Sequence, residues 1–381
     1  MRIKIQLPRV ENTSPLVPEA CPYKCGCQDF KKHGKEGKRE HIRDTQHDKA
    51  SSQRWLCLRC KRTCRSYSPG ISNAQQSNRL KAMSIILYVM GLSYGAVADF
   101  LEALGVGIGK TTVYENVQAA GITSRQRQKQ ERETGKVHKV IGSDGTYIKI
   151  KGVKVGIQVV VGDSNQDLLG LELTMSENSP EIVTMIEAIA AEVEAEVLVS
   201  DDLGSYQKVA DDLGLDHQIC RSHVTRNVDK HADELFQQVK KKEAIPDGVE
   251  ANPDILVMDL AVLQWLIRLR PDNAAQILRQ LYQRYQDAPK PPARQKHDVW
   301  YRMRMMITRL WERWQRLTLD QKRADLDGTN NASERVIGWW IKERYRTMRG
   351  YKRDESVKNV VTLAARMGAS SQQYDMAELY A

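Results

Sequence analysis

Residues 140–151 read VIGSDGTYIKIK, a strand in which Val140, Gly142, Asp144, Thr146, Ile148 and Ile150 share one face, because side chains alternate across a pleat. An acid on a face otherwise apolar or small is costly unless it binds something. Beyond it, Val155–Val161 is almost wholly apolar and a third strand covers Leu168–Met175. Turns at Lys151-Gly152 and Asp163-Ser164-Asn165 fold these three into an antiparallel meander. A helix runs from Pro180, a residue favoured in a first helical turn, to Val193. Val197–Ser200 is a short buried strand ending at Asp201-Asp202, followed by a helix over Tyr206–Leu213 and a strand near His217–Cys220.

If the strands ending at Asp201 and carrying Asp144 are neighbours, two carboxylates meet at one edge of a sheet. Asp202 adjoins Asp201 and leaves the choice between them open. A third acid is expected at Glu334, inside GTNNASERVIGWWIKERYRTMRGYKR, residues 328–353. There Asn331 is a plausible N-cap, and Glu334, Ile337, Gly338 and Ile341 share an inner face. Such carboxylates suit Mg²⁺, a hard ion that takes oxygen ligands. Two ions roughly 4 Å apart can activate a nucleophile and stabilise a leaving oxygen. The same segment carries Arg335, Lys342, Arg344, Arg346, Arg349, Lys352 and Arg353, a stripe suited to phosphates. Trp339 and Trp340 are candidates for base stacking, one of them more naturally core.

The amino-terminal part has a different chemistry. Six of the seven cysteines lie between Cys21 and Cys64, in CPYKCGC and CLRCKRTC. Two knuckles separated by a polar loop match a tetrahedral four-thiolate Zn²⁺ site. Cys21, Cys25, Cys57 and Cys60 are the expected ligands, with Cys27 and Cys64 as spares. Next, Leu80, Met83, Ile86, Leu87 and Met90 recur at helical spacing and Gly91 ends that helix. Ser93 stands at an N-cap position, Gly105 closes a second helix, and a third begins near Lys110. This is a helix-turn-helix pattern whose last helix would offer Lys110, Thr112, Tyr114 and Asn116 to a DNA groove. Gly109-Lys110-Thr111 imitates the end of a phosphate-binding loop, but Leu104 stands where its first Gly belongs. Residues 124–136 are charged and unpatterned, either a linker or a solvated helix.

Composition sets the outer bounds. The chain has 381 residues, 41% hydrophobic and 28% charged, which excludes a disordered or low-complexity protein. A net charge of +10 favours a polyanionic partner. Ala82–Ala98 lacks charge but is broken by Gly91, Ser93 and Gly95, so no membrane span is expected. Nothing at the start reads as a signal peptide, and a cytoplasmic, nucleoid-associated location is expected.

Three antiparallel strands followed by αβαβ is the order of an RNase H-like fold. Four stretches then carry a family resemblance. DGTYIKIKG (144–152), SDDLGSY (200–206), CRSHVTRNV (220–228) and NNASERVIG (330–338) resemble, in this order, motifs of DDE-type transposases of bacterial insertion sequences, in the broad group that includes Mutator-like enzymes. In that family an acid is followed five residues later by an aromatic, as Asp201 is by Tyr206, and a Cys-x-x-His motif follows, here Cys220 and His223. The resemblance implies Asp144, Asp201 and Glu334 as catalytic ligands of Mg²⁺ or Mn²⁺. Cys220 and His223 would be structural or DNA-proximal. It implies strand cleavage at transposon ends and transfer into target DNA, with terminal inverted repeats as partner and a homodimer or higher oligomer as the working form. The gap of 133 residues between Asp201 and Glu334 implies a helical insertion.

The expected organisation is a zinc ribbon (1–70), a helix-turn-helix domain (71–123), a linker (124–137), a first catalytic part (138–228), the insertion (229–325), a second catalytic part (326–368) and a tail (369–381). The alternatives are a domesticated, non-catalytic DNA-binding protein and a related structure-specific nuclease.

Overall fold

Local turn chemistry sets the framework of the computed structural model. It describes residues 4–380 apart from 12, 73–74, 163–165, 176–179, 241–252, 293–297, 349 and 370–372. The turn expected at Asp163-Ser164-Asn165 and the cation expected at Arg349 therefore lie outside the described residues.

The chain starts with β1 (Ile5–Gln6), then a three-stranded antiparallel sheet of β2 (Phe30–His41), β3 (Lys49–Cys57) and β4 (Thr63–Tyr67). The sequence between the two cysteine groups reads as an unstructured loop, yet it forms the β2–β3 hairpin. Its strands are too polar to show an apolar alternation; buried Trp55, whose indole N–H donates to Ser66 Oγ at 2.8 Å, supplies one of the few core side chains. Asp44 fastens this sheet to the start of the first long helix. Its carboxylate accepts from the backbone N–H groups of Gln46 (2.9 Å) and His47 (3.0 Å), from Arg79 Nε (3.1 Å) and from the Ser77 hydroxyl.

Three helices come next: α1 (Asn78–Val89), α2 (Tyr94–Ala103) and α3 (Lys110–Glu133). Ser77 and Ser93 cap the first two through their hydroxyls. Gly91 (φ +122°) and Gly105 (φ +83°) stand in conformations that favour glycine, at the ends of α1 and α2. The helix α3 does not stop at residue 123. It runs through the charged stretch, where Arg132 pairs with Glu192 at 2.7 Å.

The main sheet contains β5 (Val140–Ile150), β6 (Val153–Gly162), β7 (Asp167–Thr174), β8 (Val197–Ser200) and β9 (Asp216–Ile219), in spatial order β7-β6-β5-β8-β9. The first three are antiparallel; β8 runs parallel to β5, and β9 to β8. Lys151 (φ 50°) and Gly152 (φ 84°) make the two-residue turn between β5 and β6, as hairpin twist demands. The crossover helices are α4 (Pro180–Glu192) and α5 (Gly204–Leu213).

After α6 (Arg221–Lys240) come α7 (Pro253–Leu269), α8 (Ala274–Tyr285) and α9 (Val299–Leu317). Together with α6 they bury their own core around Leu260, Leu263, Leu278, Tyr285 and Ile307. The chain returns to the sheet as α10 (Asn331–Val336), a π-helical turn (Ile337–Lys342) and α11 (Glu343–Arg346), and ends with α12 (Asp354–Ala369) and β10 (Tyr374–Asp375), the parallel partner of β1.

Helices cover both sheet faces. Leu80, Val97, Val113, Val336 and Val361 share one core with Ile148, Ile157 and Val159, while Ile182, Ile186 and Val209 pack with Ile141 and Val160 on the other. Burial on both sides explains the continuous apolar run of β6. Among the described residues no helix is long and apolar enough to cross a membrane.

Candidate functional site

Two clusters stand out, one of thiols and one of carboxylates. In the first, Cys21, Cys25, Cys57 and Cys60 place their sulfur atoms within 4.8 Å of one another. Cys21 and Cys60 are 3.7 Å apart and Cys25 and Cys57 3.5 Å. Sulfur ligands at zinc–sulfur distances of about 2.3 Å in a tetrahedron lie roughly 3.8 Å apart, so the spacing fits that ion. Both knuckles are tight turns closed by backbone hydrogen bonds, Lys24 N–H to Cys21 O (2.9 Å) and Lys61 N–H to Cys57 O (3.0 Å). Lys24 (φ 54°) and Lys61 (φ 58°) hold left-handed conformations there. Backbone N–H groups of Cys60 and Arg59 aim at Cys57 and, against the effect of burial, bring its thiol down to about 6. One thiolate is thus favoured by the fold itself. The spares stay apart: Cys27 Sγ donates to Asp29 O at 3.3 Å, and Cys64 lies outside the group of four.

The second cluster is assembled from distant elements. The parallel register ends at Gly142↔Val199; two residues further along both strands, Asp144 comes level with Asp201. Burial raises the Asp144 carboxyl above its ordinary range. Glu334 adds to the rise, and the Gly145 N–H, His223 and Lys342 oppose it. The neighbouring Tyr206 hydroxyl is buried, accepts from Gln158 Nε2 at 2.5 Å, and is held protonated by burial and by the charges of Asp201 and Asp144. Glu334 Oε1 accepts from Arg226 Nη2 at 3.1 Å and faces His223 Nε2 at 3.6 Å. The three acids do not fall within 4.8 Å of one another among the described residues. Asp144 is nevertheless level with Asp201 and within electrostatic reach of Glu334. The donor set fits a hard cation: Asp144 and Glu334 repel each other in a half-buried setting, which an ion between them would relieve.

Closeness of the Glu334 helix depends on Gly142. A Cβ there would meet Asn330 Oδ1 and Ser333 Oγ, each at 2.7 Å. Asn330, not Asn331, occupies the N-cap position of α10. Its side chain does not cap; Nδ2 donates instead to Ser143 O at 2.8 Å, tying the helix to β5. Its backbone N–H donates to Cys220 Sγ at 3.3 Å.

Asp201 and Asp202 differ in their contacts with α9. Arg309 and Arg313, one helical turn apart, bind the Asp202 carboxylate at 2.8 and 2.6 Å. On the other side, Arg316 donates to His217 Nδ1 at 3.1 Å. Because an arginine can only donate, Nε2 of His217 carries the proton and donates to Ser200 Oγ (2.9 Å), which donates to Asp201 O (3.0 Å). Asp202 is thus engaged by α9, whereas Asp201 Oδ1 accepts from the Leu203 N–H at 3.2 Å. These arginines escaped sequence reading: their i, i+4 spacing was visible, but their partner lies 107 and 111 residues away.

Cys220 and His223 join Glu334 as a group with ligand atoms within 4.8 Å of one another. Burial would raise the Cys220 thiol, but the neighbouring His223 and the Asn330 N–H outweigh it and lower it. His223 is raised in turn by Cys220, against burial.

Of the cations and polar groups expected on DNA, Lys110, Arg335, Lys342, Arg346 and Lys352 are exposed. Thr112 is half-buried, and Tyr114 packs edge-on against Tyr94 at 5.4 Å and accepts from Arg353 at 3.2 Å. Two expectations fail. Asn116 is buried and exchanges hydrogen bonds with Gln76 at 3.0 and 3.1 Å, because its position on α3 faces α1. Arg344 is buried too; it donates to Gly91 O (3.4 Å), Leu92 O (3.3 Å) and Thr347 Oγ1 (2.6 Å) and stacks over Tyr88. It pins the α1–α2 turn. Trp339 is 46% exposed and Trp340 is core.

Comparison with known proteins adds the family. A solved structure, the Drosophila P element transposase strand transfer complex, aligns over 76% of this chain and 78% of its own at 10% identity, with a TM-score of only 0.28. A comparison with curated protein sequences finds no match. The sequence profile described as "Transposase IS66 family" matches residues 75–346 of 381 and gives no support to the Mutator-like group in particular. The matched span takes in Asp144, Asp201 and Glu334 with the insertion between them, and the chain belongs to the IS66 family of transposases.

Proposed function

We propose that the chain cuts DNA strands at transposon ends and joins them to target DNA, with Asp144, Asp201 and Glu334 holding Mg²⁺ or Mn²⁺. The observation that carries this reading is that Asp144 on β5 comes level with Asp201 at the end of β8 and lies within electrostatic reach of Glu334 on α10, with Lys342 and Arg335 exposed. Strand order β7-β6-β5-β8-β9, with β7, β6 and β5 antiparallel and β8 and β9 parallel, supports an RNase H-like reading of the sheet. Bound at the rim of carboxylates that these acids form, the divalent ion supplies Lewis-acid polarisation of a phosphodiester and a nucleophile at neutral pH. Asp144, Asp201 and Glu334 fix its place. Arg226 holds Glu334 in orientation, and Arg335, Lys342, Arg346 and Lys352 neutralise backbone phosphates. The four-cysteine cluster holds Zn²⁺ as a structural centre, and the α1–α3 unit acts as a helix-turn-helix on terminal inverted repeats, with Lys110 and Thr112 towards the groove. A homodimer or larger assembly on DNA, at the nucleoid, follows from the need to join two ends.

The test is Mg²⁺-dependent nicking of a duplex bearing a transposon end, compared with Glu334→Gln. Nicking that survives the substitution, or that needs no divalent ion, would overturn the reading. Binding without cleavage in the wild type favours a non-catalytic DNA-binding protein, and cleavage without joining to a second DNA favours a nuclease.

A further inference from the structure

We propose that Cys220, His223 and Glu334 form a second metal site, one that takes Zn²⁺ and withdraws Glu334 from the carboxylate rim. Cys220 directly follows β9 and precedes α6, and its backbone N–H donates to Ser200 O at 2.7 Å, beside the end of β8. His223 lies in the first turn of α6, so a Cys-x-x-His pair is fixed to one rigid helix start. Glu334 reaches the pair from α10, 111 residues from His223 in sequence, and the three ligand atoms lie within 4.8 Å of one another. Bound to one tetrahedral ion, such atoms sit roughly 3.3–3.8 Å apart, a closure that side-chain rotation supplies.

The donor chemistry separates this site from the rim next to it. Thiolate and imidazole are soft or borderline ligands that favour Zn²⁺, whereas Mg²⁺ takes oxygen. His223 Nδ1 is buried and has no hydrogen-bond partner, so one ring nitrogen is not otherwise committed. The other ring nitrogen, Nε2, faces Glu334 at 3.6 Å. The competing contact on Glu334 Oε1 is the Arg226 pair at 3.1 Å, whose guanidinium side chain is 63% exposed, so its displacement by an ion costs little. Three protein ligands leave a fourth position open for water. Glu334 is the shared member: the carboxylate cannot serve the thiolate-bound ion and the rim in one geometry. Occupancy by Zn²⁺ therefore switches the rim off. That consequence, though not the binding, rests on the function proposed above.

The two are tested separately. The full-length protein is saturated with Zn²⁺, desalted, and its metal content measured per chain without DNA. The wild type is expected to retain two ions, one at the four cysteines. Cys220→Ser and His223→Gln should each retain one, as should Cys57→Ser, which loses the other. A wild type that retains a single ion, or a Cys220→Ser protein that still retains two, overturns the proposal. The two variants at separate ligands guard against misfolding of either, checked by their thermal melts. In the second arm, nicking in Mg²⁺ is titrated with Zn²⁺. Inhibition at near-stoichiometric Zn²⁺ is expected in the wild type and at least tenfold weaker inhibition in Cys220→Ser; equal inhibition of both overturns the switch. Absence of nicking in every protein refutes the function proposed above, while the metal count still decides the site.

Discussion

The four cysteines and the three acids solve the same problem, converging ligands, in opposite ways. The thiols come from two short knuckles, CPYKC and CLRC, each of which fixes its own pair by a turn. Closing the group requires only the β2–β3 hairpin that joins them. The acids come one at a time from a mid-strand position, a strand end and a helix, and each has a different partner: Asp144 the Gly145 N–H, Glu334 Arg226, and Asp201 the Leu203 N–H. The cysteine group is built locally. The rim inherits its precision from the packing of the whole chain.

Experiments can challenge that contrast. The largest effect should follow loss of the cysteine centre. Cys57→Ser or chelation should remove on the order of 10 kcal/mol of metal-coupled folding free energy. Hydrogen exchange should accelerate in β2, β3 and β4 and stay unchanged in β5 and β6; a uniform rise would show that the two regions are one cooperative unit. At the rim, Glu334→Gln should lower nicking by at least about a thousandfold, roughly 4 kcal/mol, with no change in melting temperature.

The next effect tests the backbone at the end of β8, which His217 reaches through Ser200. Burial holds His217 neutral, with its ring down at about 4. The unfolded chain therefore binds the extra proton first, and stability falls as pH drops from about 6.5 towards 4, by about 3 kcal/mol in full. His217→Gln should lack this slope in denaturant titrations between those pH values; the same slope in both proteins would remove His217 from the support of that backbone. Gly142→Ala should cost about 1–3 kcal/mol by pushing Asn330 and Ser333 away. Nicking should fall more than stability accounts for, because the Glu334 helix moves. The smallest effect is expected of Cys64→Ser, which lies outside the group of four and should leave metal content as it is.

The same contrast decides how much could be read beforehand. Local spacing carried the four cysteines, the Ser93 cap and the Lys151-Gly152 turn. Asp144 was legible because an acid on the inward face of a strand violates a physical rule. Asp201 and Asp202 could not be separated, since Arg309 and Arg313 that claim the second arrive from another part of the fold. Asn116 and Arg344 were misplaced for a related reason. A polar residue on a helix looks outward in sequence, and only packing reveals that Gln76 or the α1–α2 turn meets it.

One long element gives the molecule a ruler. The helix α3 runs unbroken from Lys110 to Glu133, 24 residues and so about 36 Å of rod. It starts among the first helices and ends a few residues before the strand that bears Asp144. A residue added to its middle would advance everything beyond by about 1.5 Å and swing it by about 100°. The distance between the first helices and the strand that bears Asp144 is thereby written into a length of backbone.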